Sequence, residues 1–131
     1  PRGANLDRLQ IVKGWIENGE MKEKVFNVAW SDERPVDEEG NITPVGNTVN
    51  LEEATWTDTI GDALLVGIWR DPEHDPSKAA VYYARVLQIP TPRWTLYDKV
   101  RFGIKDMDEA IPLVTQERAY SSPIWYKQKK N

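Results

Sequence analysis

The N-terminal part of the chain has the hydrophobic pattern of a β-hairpin. Residues 6–16 and 25–30 are rich in β-branched and aromatic side chains, and Asn18-Gly19 lies between the two stretches. This dipeptide favours a tight two-residue turn because both of its positions tolerate positive φ angles. The pattern therefore predicts a β-hairpin over residues 6–30.

Two apolar runs predict further strands in the middle of the chain. Residues 63–69 are almost continuously apolar, which suits a strand buried on both faces, and Gly67 argues against a helix. Residues 79–89 alternate between two faces, and the run ends at Pro90 because proline cannot donate to a sheet ladder. A weaker pattern over residues 47–57 predicts a short strand, with a helical turn as the alternative for residues 51–54.

The remaining segments predict loops and short strands. Residues 31–47 have no period, and their acidic stretch at residues 32–40 has a role that the sequence does not reveal. Residues 93–112 are also irregular, with room for one helical turn at residues 106–110. Residues 113–116 and 119–126 predict short closing strands, and the basic tail from residue 127 onward predicts a frayed end.

About seven short strands with connections of uneven length predict an all-β fold. We expect residues 1–131 to form a single antiparallel β-sandwich of the immunoglobulin or fibronectin kind with long irregular loops. A chain of 131 residues has the length of one ordinary domain. An open barrel with a similar number of strands is the alternative, and the sequence does not separate the two.

Composition excludes several kinds of chemistry. The chain has no cysteine, which excludes disulfides, thiolate metal sites and a cysteine nucleophile. Its one histidine, His74, excludes a metal site built from several histidines. The net charge of -4 gives no electrostatic reason to expect a nucleic-acid partner. No apolar run approaches the ~20 residues of a membrane span.

The sequence contains no recognisable catalytic set. The weak candidates for a metal site are Asp71, Glu73 and Asp75, which alternate in a proline-bounded loop, as loop Ca²⁺ ligands can. The simpler interpretation is a solvated turn whose carboxylates cap their own backbone. Neither His74 nor Ser121-Ser122 has a partner at a recognisable spacing. We therefore expect no catalytic residue, metal or cofactor in this chain, and no enzymatic activity of its own.

The six tryptophans either fill the core or are displayed for binding. Trp30 and Trp69 end apolar runs, and we predict that they belong to the core. A different composition marks the proline-stiffened segment at residues 89–102. Its aromatic and arginine residues are of the kinds that are enriched in protein interfaces. The residues that we predict to form an interface with a catalytic domain are Arg93, Trp94, Tyr97 and Arg101.

Three segments resemble a known family when they are taken together. They are GANLDRLQIVKGW at residues 3–15, YYARVLQIPTPRW at residues 82–94 and ERAYSSPIWY at residues 117–126. They resemble the C-terminal part of the domain of unknown function 3604 family, which is similar to the PHP (polymerase and histidinol phosphatase) metal-dependent hydrolases. The resemblance implies a parent hydrolase with an N-terminal domain rich in His and Asp, and a periplasmic or exported location. The start at Pro1 agrees with a C-terminal fragment of a longer protein.

Two functional hypotheses follow. The first is a non-catalytic accessory β-domain that packs against the N-terminal PHP-like hydrolase domain of its parent protein. The second is an autonomous module that binds carbohydrates or surfaces through exposed tryptophans. The first hypothesis predicts an exposed apolar patch on the isolated chain, and self-association through that patch or through a free strand edge. The substrate and the metal of the parent enzyme are not implied by these residues.

Overall fold

The structure is a computed structural model in which residues 3–127 are described, so the predicted tail lies outside it from residue 128 onward. β-strands dominate this range. In chain order the elements are β1 (Leu6–Glu17), β2 (Glu20–Trp30), β3 (Ala80–Gln88), β4 (Thr91–Pro92), α1 (Trp94–Phe102), β5 (Val114–Thr115), β6 (Arg118–Tyr120) and β7 (Ile124–Tyr126).

The predicted N-terminal hairpin is confirmed. β1 and β2 pair antiparallel from the Glu17–Glu20 pair next to the turn to the Arg8–Trp30 pair at the open end. Asn18 and Gly19 have φ angles of 53° and 80°, the left-handed values that a tight hairpin turn requires.

The strands form two antiparallel sheets. The main sheet has five strands in the order β2-β1-β3-β6, and β7 also pairs with β3. β4 and β5 form a separate two-stranded sheet. The prediction of an all-β fold with antiparallel sheets and long irregular loops is confirmed. Within residues 3–127 the sheets do not close into a barrel.

β6 and β7 extend the same edge of β3 one after the other. β6 pairs with residues 85–87 and β7 with residues 80–82. Ser121 bridges the gap between them, because its N–H donates to the Ala84 carbonyl and its hydroxyl accepts from the Ala84 N–H, both at 2.9 Å. Ser121 therefore has a structural role in the ladder.

The prediction of a doubly buried strand at residues 63–69 is wrong. The segment belongs to no strand, and Leu64, Val66 and Ile68 are 75%, 77% and 96% exposed. The chain passes so close to β2 that a Cβ on Gly67 would lie 2.8 Å from Cγ1 of Val28. The apolar side chains on the outer side have no neighbouring layer within residues 3–127, which the sequence pattern could not reveal.

Two further segments differ from the expectation. Residues 47–57 form turns and not a strand, because the Asn47 and Asn50 side chains accept hydrogen bonds from the backbone N–H groups that follow them. Such turns compete with sheet pairing. Residues 93–112 are not wholly irregular, since they contain α1.

The acidic stretch at residues 32–40 is anchored by a buried arginine. Nη2 of Arg34 lies 2.6 Å from Oδ1 of Asp7 in β1, and the two side chains are 8% and 2% exposed. Arg34 also donates to the carbonyls of Ser31 and Thr43. Asp7 accepts a second hydrogen bond from Gln116 at 2.9 Å. This network joins the loop, the main sheet and the segment before β6.

Candidate interaction surfaces

α1 is held firmly against the rest of the domain by one side. Leu96 is fully buried, and the Thr95 hydroxyl donates to the Pro112 carbonyl at 2.6 Å. The backbone N–H of Arg93, at the N-cap position, donates to the Leu113 carbonyl at 2.9 Å. The helix ends at Gly103, whose φ of 61° allows its N–H to turn back toward the last carbonyls.

The opposite side of α1 carries exposed aromatic side chains. Trp94 and Tyr97 are 64% and 44% exposed, and Phe102 at the last turn is 68% exposed. Arg101 is also exposed and lies over the Phe102 ring. Trp94, Tyr97 and Arg101 follow one another at helical spacing and share a face. The structure thus brings together the residues that composition had singled out, with Arg93 at the start of the same helix.

An apolar groove lies on one face of the main sheet, near the β1–β2 turn. It has a volume of about 370 Å³, and the residues that line it include Ile16, Met21, Tyr83 and Trp125. Met21 is 82% exposed and Trp125 is 69% exposed. This groove was not predicted from the sequence, although the alternation of β1 and β3 places Ile16 and Tyr83 on one face of the sheet.

The other tryptophans are half-buried. Trp69 packs against Phe26 and Tyr82, with ring centroids 5.0 Å and 6.1 Å away. Trp30 donates its indole N–H to the Arg34 carbonyl at 3.0 Å. Both contact residues of the domain interior, but they are only half-buried, so the prediction that they belong to the buried core is not met. Trp94 and Trp125 are the exposed ones.

The three candidate metal ligands lie in one loop but serve separate partners. Asp71 pairs with Lys13 at 2.6 Å, and Glu73 pairs with Lys24. Asp75 accepts hydrogen bonds from the Ser77 hydroxyl and backbone N–H, which lower its pKa. Within residues 3–127 no group of three or more His, Asp or Glu side chains is placed to hold a metal ion. The His74 ring packs edge-on against Tyr126.

Asp71 and Tyr82 form a partly buried acid–phenol pair. The Tyr82 hydroxyl donates to Oδ2 of Asp71 at 2.7 Å. Burial, together with this hydrogen bond, raises the pKa of Tyr82 to about 12. Burial opposes the charge of Asp71, but the hydrogen bonds from Lys13 and Tyr82 outweigh it and lower the pKa of the carboxyl. The pair fastens residues 71–73 to the sheet.

This pair predicts a loss of stability in alkali. The folded state holds the Tyr82 proton more tightly than the unfolded chain. The contribution of the protonated Tyr82 to the free energy of unfolding is therefore complete below the usual tyrosine pKa of 10.0. We expect that contribution to disappear as the pH rises through about 12. Denaturant unfolding across this range measures the effect, with Tyr82→Phe as the control. The prediction would be contradicted if the free energy of unfolding fell equally steeply with rising pH in the unsubstituted protein and in Tyr82→Phe.

The comparisons with known proteins give one result about the family. The search of curated proteins found no match, and the search of solved structures found none either. No helix within residues 3–127 has the length and apolar character that a membrane span requires. The model of one family, described as "Protein of unknown function (DUF3604)", matches residues 1–128 and so covers almost all of the sequence. The chain therefore belongs to the DUF3604 family of proteins of unknown function.

Proposed function

We propose that this chain is a non-catalytic accessory β-domain that packs through α1 against the N-terminal, PHP-like metal-dependent hydrolase domain of a longer parent protein. The observation that carries the proposal is the exposed aromatic face of a helix whose other face is fixed. Trp94 and Tyr97 share the outer face, and Phe102 is exposed at the C-terminal end of the helix. Tryptophan, tyrosine and arginine are the residue types that contribute most to protein interfaces.

The way α1 is held favours binding. Leu96 and the Thr95–Pro112 hydrogen bond fix the helix before any partner arrives. A surface that is already ordered loses less conformational entropy on association. The basic side chains of Arg93 and Arg101 border the aromatic ones. We therefore expect the partner to present an apolar surface bordered by carboxylates.

Residues 63–69 supply a second exposed surface for the same role. Leu64, Val66 and Ile68 form an exposed apolar stripe along a segment that belongs to no strand, which is unusual for a surface that meets only water. In the parent protein this stripe would be covered by the neighbouring domain. On the isolated chain the same stripe favours self-association.

The carboxylates support a structural role and not a catalytic one. Asp71 and Glu73 are engaged by Lys13 and Lys24. Asp7 is engaged by Arg34. Carboxylates held in such pairs stabilise loops against the sheet, and this supports the proposal that the reaction belongs to another domain of the parent.

Replacing Trp94 with alanine in the parent protein tests the proposal. We expect the variant to weaken domain association by at least about 2 kcal/mol, which is the scale of an interface hot spot. Hydrogen exchange of the α1 amides measures the effect and should become faster. The matched control is Trp125→Ala, which removes a similarly exposed tryptophan from the sheet face.

Two outcomes would overturn the proposal. If the α1 amides exchange at the same rate in the parent protein and in the isolated chain, the helix does not dock. If Trp125→Ala loosens the domains and Trp94→Ala does not, the wrong surface has been assigned. Sedimentation of the isolated chain provides a second measurement, because the exposed stripe at residues 64–68 favours dimers.

The apolar groove favours a second candidate function. Trp125 stands 69% exposed beside Ile16 and Met21, so a flat ring is available for stacking on a sugar face. Titration with glycans, followed by tryptophan fluorescence, distinguishes the two functions. A saturable change that Trp125→Ala abolishes would favour an autonomous carbohydrate- or surface-binding module.

A further inference from the structure

A polar cleft of about 480 Å³ lies on the same sheet face as the apolar groove, farther from the β1–β2 turn. Gln10 and Lys13 are an odd number of positions apart in β1, so this face is the one opposite the Lys13–Asp71 pair. The polar side chains that line the cleft from the sheet are Arg8, Gln10, Asn27, Arg85 and Arg118. Residues 39–42 also line the cleft.

The Arg85 guanidinium is held in place by a neutral partner. Its Nε and Nη2 both donate to Oε1 of Gln10, at 2.9 Å and 2.7 Å. The Gln10 amide in turn donates to Oδ1 of Asn27, and the Asn27 amide donates to the Gly40 carbonyl, both at 2.8 Å. This chain of hydrogen bonds orients Arg85 without neutralising its charge.

The other two arginines of the cleft keep most of their hydrogen-bonding capacity. Nε of Arg8 is buried and has no hydrogen-bond partner among the described residues. It lies 3.5 Å from Oδ2 of Asp7, whose carboxylate already accepts from Arg34 and Gln116. Arg118 is exposed, and within residues 3–127 it forms no ion pair.

One carboxylate borders the cleft. Glu39 is exposed, and its Oε2 accepts from the Asn41 amide at 3.3 Å. Three guanidinium groups line the same cleft. The cleft therefore has an excess of positive charge, although the net charge of the chain is -4. Such a local excess draws anions toward the cleft.

We propose that this cleft binds a small ligand through an oxyanion group, namely a phosphate, a sulfate or a carboxylate. Guanidinium groups present paired N–H donors that match the oxygens of these anions, and they lose less hydration energy than ammonium groups do. The volume is within the range of small-molecule sites. The proposal is independent of the docking role, because that role needs only α1 and the stripe at residues 64–68.

Titration with three separate anions tests the proposal. Inorganic phosphate, inorganic sulfate and glucuronate are added to the chain, and the arginine side-chain N–H signals are followed by NMR. We expect saturable shifts for Arg8, Arg85 and Arg118 with at least one of the anions. A preference for phosphate or sulfate over glucuronate identifies a tetrahedral group, and the reverse preference identifies a carboxylate. The absence of saturable shifts with all three anions overturns the proposal.

Substitutions distinguish a specific anion-binding site from non-specific electrostatic attraction of anions. Arg118→Gln should weaken binding about tenfold or more, which corresponds to the loss of one charge-assisted hydrogen bond. Arg70→Gln is the matched control, because Arg70 is exposed, lies outside the cleft and undergoes the same charge change. Equal effects of the two substitutions would show that only net charge matters and would overturn the proposal.

The acidic wall supplies a test of the opposite sign. Glu39→Gln should tighten binding, because it removes the carboxylate that borders the cleft. Glu38→Gln removes the same charge from the neighbouring residue, which does not line the cleft, and should have a smaller effect. Equal affinities in the two variants would contradict the position assigned to the ligand.

Discussion

Replacing Arg34 with methionine is expected to lower the free energy of unfolding by about 3–5 kcal/mol, because it removes the cation that is hydrogen-bonded to a buried carboxylate. Asp7 is only 1% exposed and has no access to water that could replace the guanidinium. Gln116 would still donate to Asp7 but carries no charge. Arg8 would remain 3.5 Å away. Denaturant unfolding followed by tryptophan fluorescence measures the difference.

A matched control separates the buried pair from a general effect of losing an arginine. Arg70→Met removes an exposed arginine and should change the free energy of unfolding by less than about 0.5 kcal/mol. A similarly small effect of Arg34→Met would show that the Asp7 pair is unimportant for the fold. The same arginine also anchors the loop whose residues 39–42 line the polar cleft.

Replacing Lys13 with methionine is expected to cost about 3–5 kcal/mol for the same physical reason on the opposite face of the sheet. Nζ of Lys13 lies 2.6 Å from Oδ2 of Asp71, and the side chains are 8% and 7% exposed. Nζ also donates to the Glu73 carbonyl at 2.8 Å, so the variant loses two attachments of the loop. The Tyr82 hydroxyl and the Glu73 backbone N–H would still donate to the Asp71 carboxylate, but neither carries a charge.

A double-mutant cycle shows whether the charge or the packing matters. Lys13→Met combined with Asp71→Leu removes both charges and should be more stable than Lys13→Met alone, because no buried charge is left unpaired. The exposed pair of Lys78 and Glu17 is the control, and Lys78→Met should cost less than about 1 kcal/mol. Additive effects of the two substitutions at Lys13 and Asp71 would mean that the pair does not couple.

The two buried ion pairs explain how a domain with a small apolar core keeps its long loops in place. The fully buried apolar side chains are few, among them Val12, Ile89 and Leu96. Much of the remaining order comes from the Arg34 and Lys13 side chains, which reach from a strand or a loop to carbonyl groups across the domain. Loops held in this way can present surfaces such as the polar cleft without a second full sheet beneath them.

Local patterns predicted the hairpin and β3 because their signals act over short distances. Asn18-Gly19 determines the turn through its own φ angles. The alternation at residues 79–89 matches β3 (Ala80–Gln88) to within a residue at each end. The apolar run at residues 63–69 was misinterpreted because hydrophobicity does not show whether a covering layer is present.

For the candidate interface too, the sequence predicted the residues but not the structure that they form. Composition singled out Arg93, Trp94, Tyr97 and Arg101, but it predicted an irregular segment where the structure has α1. The helix lacks a side-chain N-cap, so the sequence carries no clear start signal. Its order depends on tertiary contacts of Leu96 and Thr95. Asp71 was considered as a metal ligand because the sequence does not show that it pairs with Lys13, which is 58 positions away.

The sequence alone determined the all-β class, the N-terminal hairpin and the absence of cysteine chemistry, since each depends on residue type or on neighbours along the chain. Only the tertiary structure decided which charges are paired, which aromatic side chains face outward and that Arg8, Arg85 and Arg118, which are far apart in the sequence, share one cleft. Burial and charge pairing are properties of neighbours in space, and long loops bring those neighbours together in ways that local patterns do not record.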